Sequence, residues 1–159
     1  MSEELNMKQA QNVYETVCAT LDARDWKYTR HDEDLAITCG VRGDDLPMDL
    51  VIIVNPKAQV VSVISQMPFK IPEDKRAEIA MAVCIANYGL VNGTFDFDVR
   101  DGDLRFRIVS SYRESILGEE LFNYMLIIAA GTIDQYNDKF LMISKGMMTL
   151  QQLVDSENN

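Results

Sequence analysis

The chain predicts an α+β fold, an antiparallel sheet packed by helices on one face, in the element order α-β-β-β-β-α-β-β-α. Three observations carry this. Apolar residues recur at helical spacing in three separated stretches, 7–24, 77–88 and 119 onward. Between the first two lie four short alternating or β-branched runs. Between the last two, residues 94–108 read as a hairpin about Asp101-Gly102.

In order along the chain, Ala10, Val13, Tyr14, Val17, Cys18 and Leu21 form one stripe wide enough for a single buried helix face. Residues 26–31 and 35–41 alternate about Asp32-Glu33-Asp34 and read as a hairpin. Residues 42–47 are a polar loop. Residues 48–54 and 59–65 are β-branched runs joined by Asn55-Pro56-Lys57-Ala58. Their nearly continuous apolar character predicts central strands with little exposed face. Pro72 opens the next helix, with Glu73 and Asp74 where the helix dipole favours carboxylates. From Ala77 to Tyr88 this helix is apolar nearly all round and must be covered on several sides; Gly89 is placed to cap it.

In the 94–108 hairpin, a two-residue Asp101-Gly102 turn pairs Val99 with Leu104, Phe97 with Phe106 and Phe95 with Ile108. On the other face it sets Arg100 against Asp103, Asp98 against Arg105 and Asp96 against Arg107. The last helix follows Gly118, with Phe122, Met125, Leu126, Ala129, Ile133, Tyr136 and Phe140 on one stripe. Leu121, Tyr124, Ile127 and Ile128 widen it, and Gly131 weakens its middle. Gly146 ends that helix. Residues 147–154 lead into a polar tail, 155–159, expected to fray. No repeat or linker divides the chain, so residues 1–159 read as a single domain.

Lys and Arg number 15 against 25 Asp and Glu, a formal charge of −10. That balance repels phosphate backbones and anionic lipid, so neither nucleic acid nor membrane is an expected partner. Cys18, Cys39 and Cys84 are far apart and form no Cys-x-x-Cys pair, which reads as reduced thiols. Cys84, within an apolar helix, is expected to be an inert core thiol, and Cys39 the more accessible one. The start, Met-Ser-Glu-Glu, lacks a basic-then-apolar profile. The expected location is cytoplasmic.

The middle of the chain carries a resemblance. Ile71-Pro72-Glu73-Asp74-Lys75-Arg76, Asn87-Tyr88-Gly89-Leu90, Gly93-Thr94-Phe95-Asp96-Phe97-Asp98 and Asp101-Gly102-Asp103-Leu104-Arg105-Phe106-Arg107 resemble the YbjN family. That family is bacterial and labelled as sensory transduction regulators. The resemblance implies a fold like that of the type III secretion chaperones, in which helices pack on one face of an antiparallel sheet and two subunits commonly dimerise. It implies no catalytic residue; Asn87, Gly89, Gly93 and Gly102 carry over as structural positions.

No catalytic constellation assembles. His31 is the sole histidine, and neither a Gly-x-Ser-x-Gly elbow nor a phosphate-cradling glycine loop occurs. Asp32-Glu33-Asp34 and Asp44-Asp45 lack the spacing of a calcium loop and read as solvated turns. No cofactor or metal site is expected, and the chain reads as no enzyme. What survives is surplus apolar surface and nine methionines. The candidate partner or dimer surface is Met81, Ile85, Tyr88, Tyr124, Met125, Ile128, Met142, Met147 and Met148. The expected function is a non-enzymatic, cytoplasmic, dimeric, chaperone-like binding or regulatory protein that holds a segment of a partner protein. Its groove is expected between the sheet and the methionine-bearing C-terminal helix. The alternative is a small-molecule or metal-sensing module with a pocket against Phe95, Phe97 and Phe106.

Overall fold

A computed structural model describes residues 2–158. Helix α1 (Glu3–Ala23) begins at Ser2, whose hydroxyl accepts from the Leu5 amide. Six strands follow in one antiparallel sheet: β1 (Thr29–His31), β2 (Ala36–Arg42), β3 (Pro47–Asn55), β4 (Val60–Gln66), β5 (Thr94–Asp98) and β6 (Asp103–Ser111). Helix α2 (Arg76–Tyr88) separates β4 from β5 and is entered through a 3-10 turn, Glu73–Lys75. Helices α3 (Glu119–Ser144) and α4 (Leu150–Glu157) close the chain. The strand order is β1-β2-β3-β4-β6-β5, so the two β-branched runs are indeed central.

Period-2 alternation gives the sheet one buried face. Ile37, Ile52, Val63 and Ile108 lie abreast across four strands and are all buried. Against this face pack α1, α2 and α3, with α3 in contact with both other helices. The predicted α3 stripe from Phe122 to Phe140 is buried throughout. Phe95 packs edge-on against Phe106, Tyr136 and Phe140 at ring separations of 5.2, 5.5 and 5.0 Å.

The hairpin keeps its faces but not its predicted register. Phe95 pairs with Phe106 and Phe97 with Leu104, two residues away from the expected pairing. The loop is the four residues 99–102, and Val99 is exposed on it. Gly102 has φ +82° whereas Asp101 does not reach positive φ, so the two-residue type I′ turn does not form. Ile71 decides this: its amide donates to the Gly102 carbonyl at 2.9 Å, and its own carbonyl oxygen sits where a Gly102 Cβ would be. A shift of two leaves every inward side chain inward, so the core does not resist it. The ion pairs rearrange accordingly. Asp96 holds both Arg107 (2.8 Å) and Arg105 (3.1 Å), and Asp98 turns to Arg100 (2.7 Å).

Three further expectations give way. Residues 155–157, expected to fray, are the last turn of α4; Asn159 lies outside the described residues. Cys84 is exposed, because α2 turns that side away from the sheet. Cys39 is buried on the inward face of β2, and burial pushes its thiol up to about 11. The central strands also keep a second face, since no helix among the described residues covers the opposite side of the sheet: Val51, Ile53 and Ile64 point that way and are half-buried.

Candidate partner-binding surface

Helix α2 is clamped at both ends. At its start the Arg76 guanidinium donates to the carbonyls of Ile71 (3.3 Å), Val99 (3.5 Å) and Arg100 (2.9 Å), tying the helix to the β5–β6 turn. Near its end the Asn87 side chain donates to the Phe95 carbonyl (3.0 Å) and accepts from the Phe95 amide (2.8 Å). The resemblance positions thus have structural reasons. Asn87 satisfies the free edge of β5. Gly93, at φ +80°, lies against the Phe106 ring, which leaves no room for a Cβ.

So held, α2 buries Ile79, Ala82, Val83 and Ala86 and turns Met81, Cys84, Ile85 and Tyr88 outward. These four recur at i, i+3, i+4 and i+7 and form a continuous apolar stripe. Met81 is 59% and Tyr88 95% exposed. Beside the stripe lies α4, started by a capping box between Thr149 and Gln152 and anchored by the fully buried Leu153. The Tyr136 hydroxyl donates to the Glu157 carboxylate at 2.7 Å; burial first, and then this bond, holds the phenol well above its ordinary range. Between the two helices opens a crevice of about 540 Å³ lined by Cys84, Ile85, Tyr88, Gly89, Val154, Glu157 and Asn158.

The candidate residues separate into groups. Met81, Ile85 and Tyr88 share the α2 stripe. Tyr124 is partly exposed on α3, its hydroxyl accepting from Asn92 at 3.0 Å. Met142 ends α3 at the surface, Met147 is exposed in the link to α4, and Ile128 and Met148 pack half-buried against the core. Met125 is the correction: it is 2% exposed, because it shares the inward stripe with Phe122 and Leu126. That stripe fills the space between α3 and the sheet, so the expected groove is absent there and the apolar crevice lies between α2 and α4 instead.

Sequence reading missed Cys84, Val154 and the 55%-exposed Ile127. The signal for Cys84 was its place at i+3 in the stripe that begins at Met81, and for α4 the Thr149-to-Gln152 spacing. The alternative pocket against Phe95 and Phe106 is filled by Tyr136 and Phe140. Phe97 instead borders an open depression on the turn, beside Asp96, Asp98, Arg100 and Arg105. Among the described residues no cluster of His, Cys, Asp or Glu is arranged to hold a metal ion, and no helix is long and apolar enough to cross a membrane.

An antiparallel sheet covered by helices on one face defines a two-layer α+β protein. The chain belongs to the YbjN family, described as "Putative bacterial sensory transduction regulator", which it matches over residues 14–142. Among solved structures it is similar to the crystal structure of YbjN from E. coli, at TM-score 0.56 and 12% identity, covering 77% of this chain and 86% of that one. It is also similar to a chain of the HopA1-SchA chaperone-effector complex, at TM-score 0.51 and 11% identity, covering 82% and 94%. No curated protein matches the chain. At these identities the structural likeness establishes the fold alone.

Proposed function

We propose that the chain is a non-enzymatic, cytoplasmic binding protein that works as a homodimer and holds a segment of a partner protein on the outer side of α2. One observation carries this: Met81, Cys84 and Tyr88 stand bare in a row with the half-buried Ile85, beside Val154 of α4, on a helix whose other side is fully used by the core. Apolar stripes of this spacing receive amphipathic helices or extended segments laid along them. The methionine adds a side chain that adapts to varied partners. Membership of a family described as regulatory, and a fold shared with a chaperone-effector complex, support a role exercised through protein contact. The formal charge of −10 favours a basic segment as the one held.

A photo-crosslinking amino acid at position 88, compared with one at Lys57 on the β3–β4 turn, tests the reading in the native bacterium. A discrete protein adduct is expected from position 88 and not from 57, and Met81→Lys should abolish it. The absence of an adduct at 88, or equal adducts at both sites, would overturn it.

A further inference from the structure

The uncovered face of the sheet breaks a rule that its own neighbouring strands obey. Antiparallel sheets facing water normally alternate apolar-in with polar-out. On β5 and β6 the outward side chains near the turn follow this: Asp96, Asp98, Arg105 and Arg107. In the middle of β3 and β4 the outward side chains are Val51, Ile53, Ser62 and Ile64, with Asp49, Val60 and Gln66 nearer the strand ends. The register aligns them into two rows, Ala36–Ile53–Ser62–Val109 and Thr38–Val51–Ile64–Arg107. Val109 is 41% exposed. Neither row contains a carboxylate, although the chain holds 25 Asp and Glu.

We propose that this face closes the homodimer, two copies packing sheet against sheet, and leaves the outer stripe of α2 free for a partner. The inference rests on the reading of the chain as a dimeric binding protein and assigns a separate surface to each contact. Area supports a second copy. Strands ~4.8 Å apart and rising ~3.4 Å per residue give the whole six-stranded face roughly 600–700 Å², so two faces together reach the lower end of a stable interface, with the two rows as its apolar centre and Asp49, Asp96 and Asp98 on its rim. Shape supports it too, because flat rows of β-branched side chains interdigitate when two sheets pack at their usual separation. Charge points the same way. Two copies each carrying −10 repel least where the centre of the contact holds no carboxylate; these rows hold none, and on the rim Asp96 is already paired with Arg105 and Arg107. A basic partner segment gains nothing electrostatically from the same rows.

Sedimentation of the full-length protein from low to high micromolar concentration tests the proposal, with wild type beside Ile64→Lys, Ser62→Arg and Tyr88→Glu. Wild type is expected to be a dimer. Ile64→Lys and Ser62→Arg should weaken it by tenfold or more, and Tyr88→Glu should leave it unchanged. Circular dichroism establishes that each variant folds. Should Ile64→Lys unfold, Ser62→Arg decides, because Ser62 faces away from the core. A wild type that stays monomeric, a Ser62→Arg protein as dimeric as wild type, or dissociation caused by Tyr88→Glu overturns the inference. A monomer that still cross-links through position 88 retains the partner-binding reading and loses only this one; a sheet-closed dimer without that adduct does the reverse.

Discussion

Asn87 serves Phe95 as a neighbouring strand would, giving one acceptor and one donor to an edge residue that has a strand on one side only. Removing that amide leaves the Phe95 N–H partly buried and unpaired and its C=O with the Thr94 hydroxyl as its remaining donor. Asn87→Ala is expected to cost about 1–3 kcal/mol, read as a lowered urea midpoint. Asp96 is the electrostatic counterpart on the same strand. Hydrogen bonds from Arg107 and then Arg105, against some desolvation, hold its carboxyl below the ordinary range. A carboxyl depressed on folding stabilises the fold above its unfolded pKa, about 3.9, and that contribution disappears as pH falls through the lower folded value. Urea midpoints of wild type and Asp96→Asn should therefore differ at neutral pH and converge in acid. A difference that persists undiminished at acid pH would assign Asp96 a role other than its charge.

The helices divide the labour of the fold unequally. Helix α3 spends its whole inward stripe on the sheet, which is why Met125 is core and only its outer positions remain at the surface. Helix α2 spends half, being narrower in its contact and pinned at both ends to the β5–β6 hairpin. Helix α4 is short and depends on its capping box, Leu153 and the Tyr136–Glu157 bond for its position. The middle of α3 contains one correctable weakness, Gly131, which is exposed, has ordinary helical φ and would meet nothing within 4 Å of an added Cβ. Gly131→Ala should raise stability by about 0.5–1 kcal/mol through helix propensity alone, measured by thermal or urea unfolding. A loss of stability on this substitution would mean that α3 is bent or contacted at that point.

Across the whole molecule, a formal charge of −10 acts against compactness and in favour of a basic partner at the same time. Added salt should consequently raise the melting temperature slightly while weakening capture of a basic segment; opposite signs in these two measurements are the expected outcome, and a parallel change would remove charge from the account. Fold class, strand pairing by face and the α3 stripe were legible in the residues because 3.6- and 2-residue periods report directly which side is apolar. The hairpin register was not, since a shift of two preserves that pattern and the deciding contact, Ile71 on Gly102, comes from 31 positions earlier in the chain. Nor was the exchange between Cys39 and Cys84, or the crevice beside α4. Local pattern tells each segment which of its sides is apolar; which apolar side meets the core, and which is left bare, follows from how many neighbours the packed elements can supply.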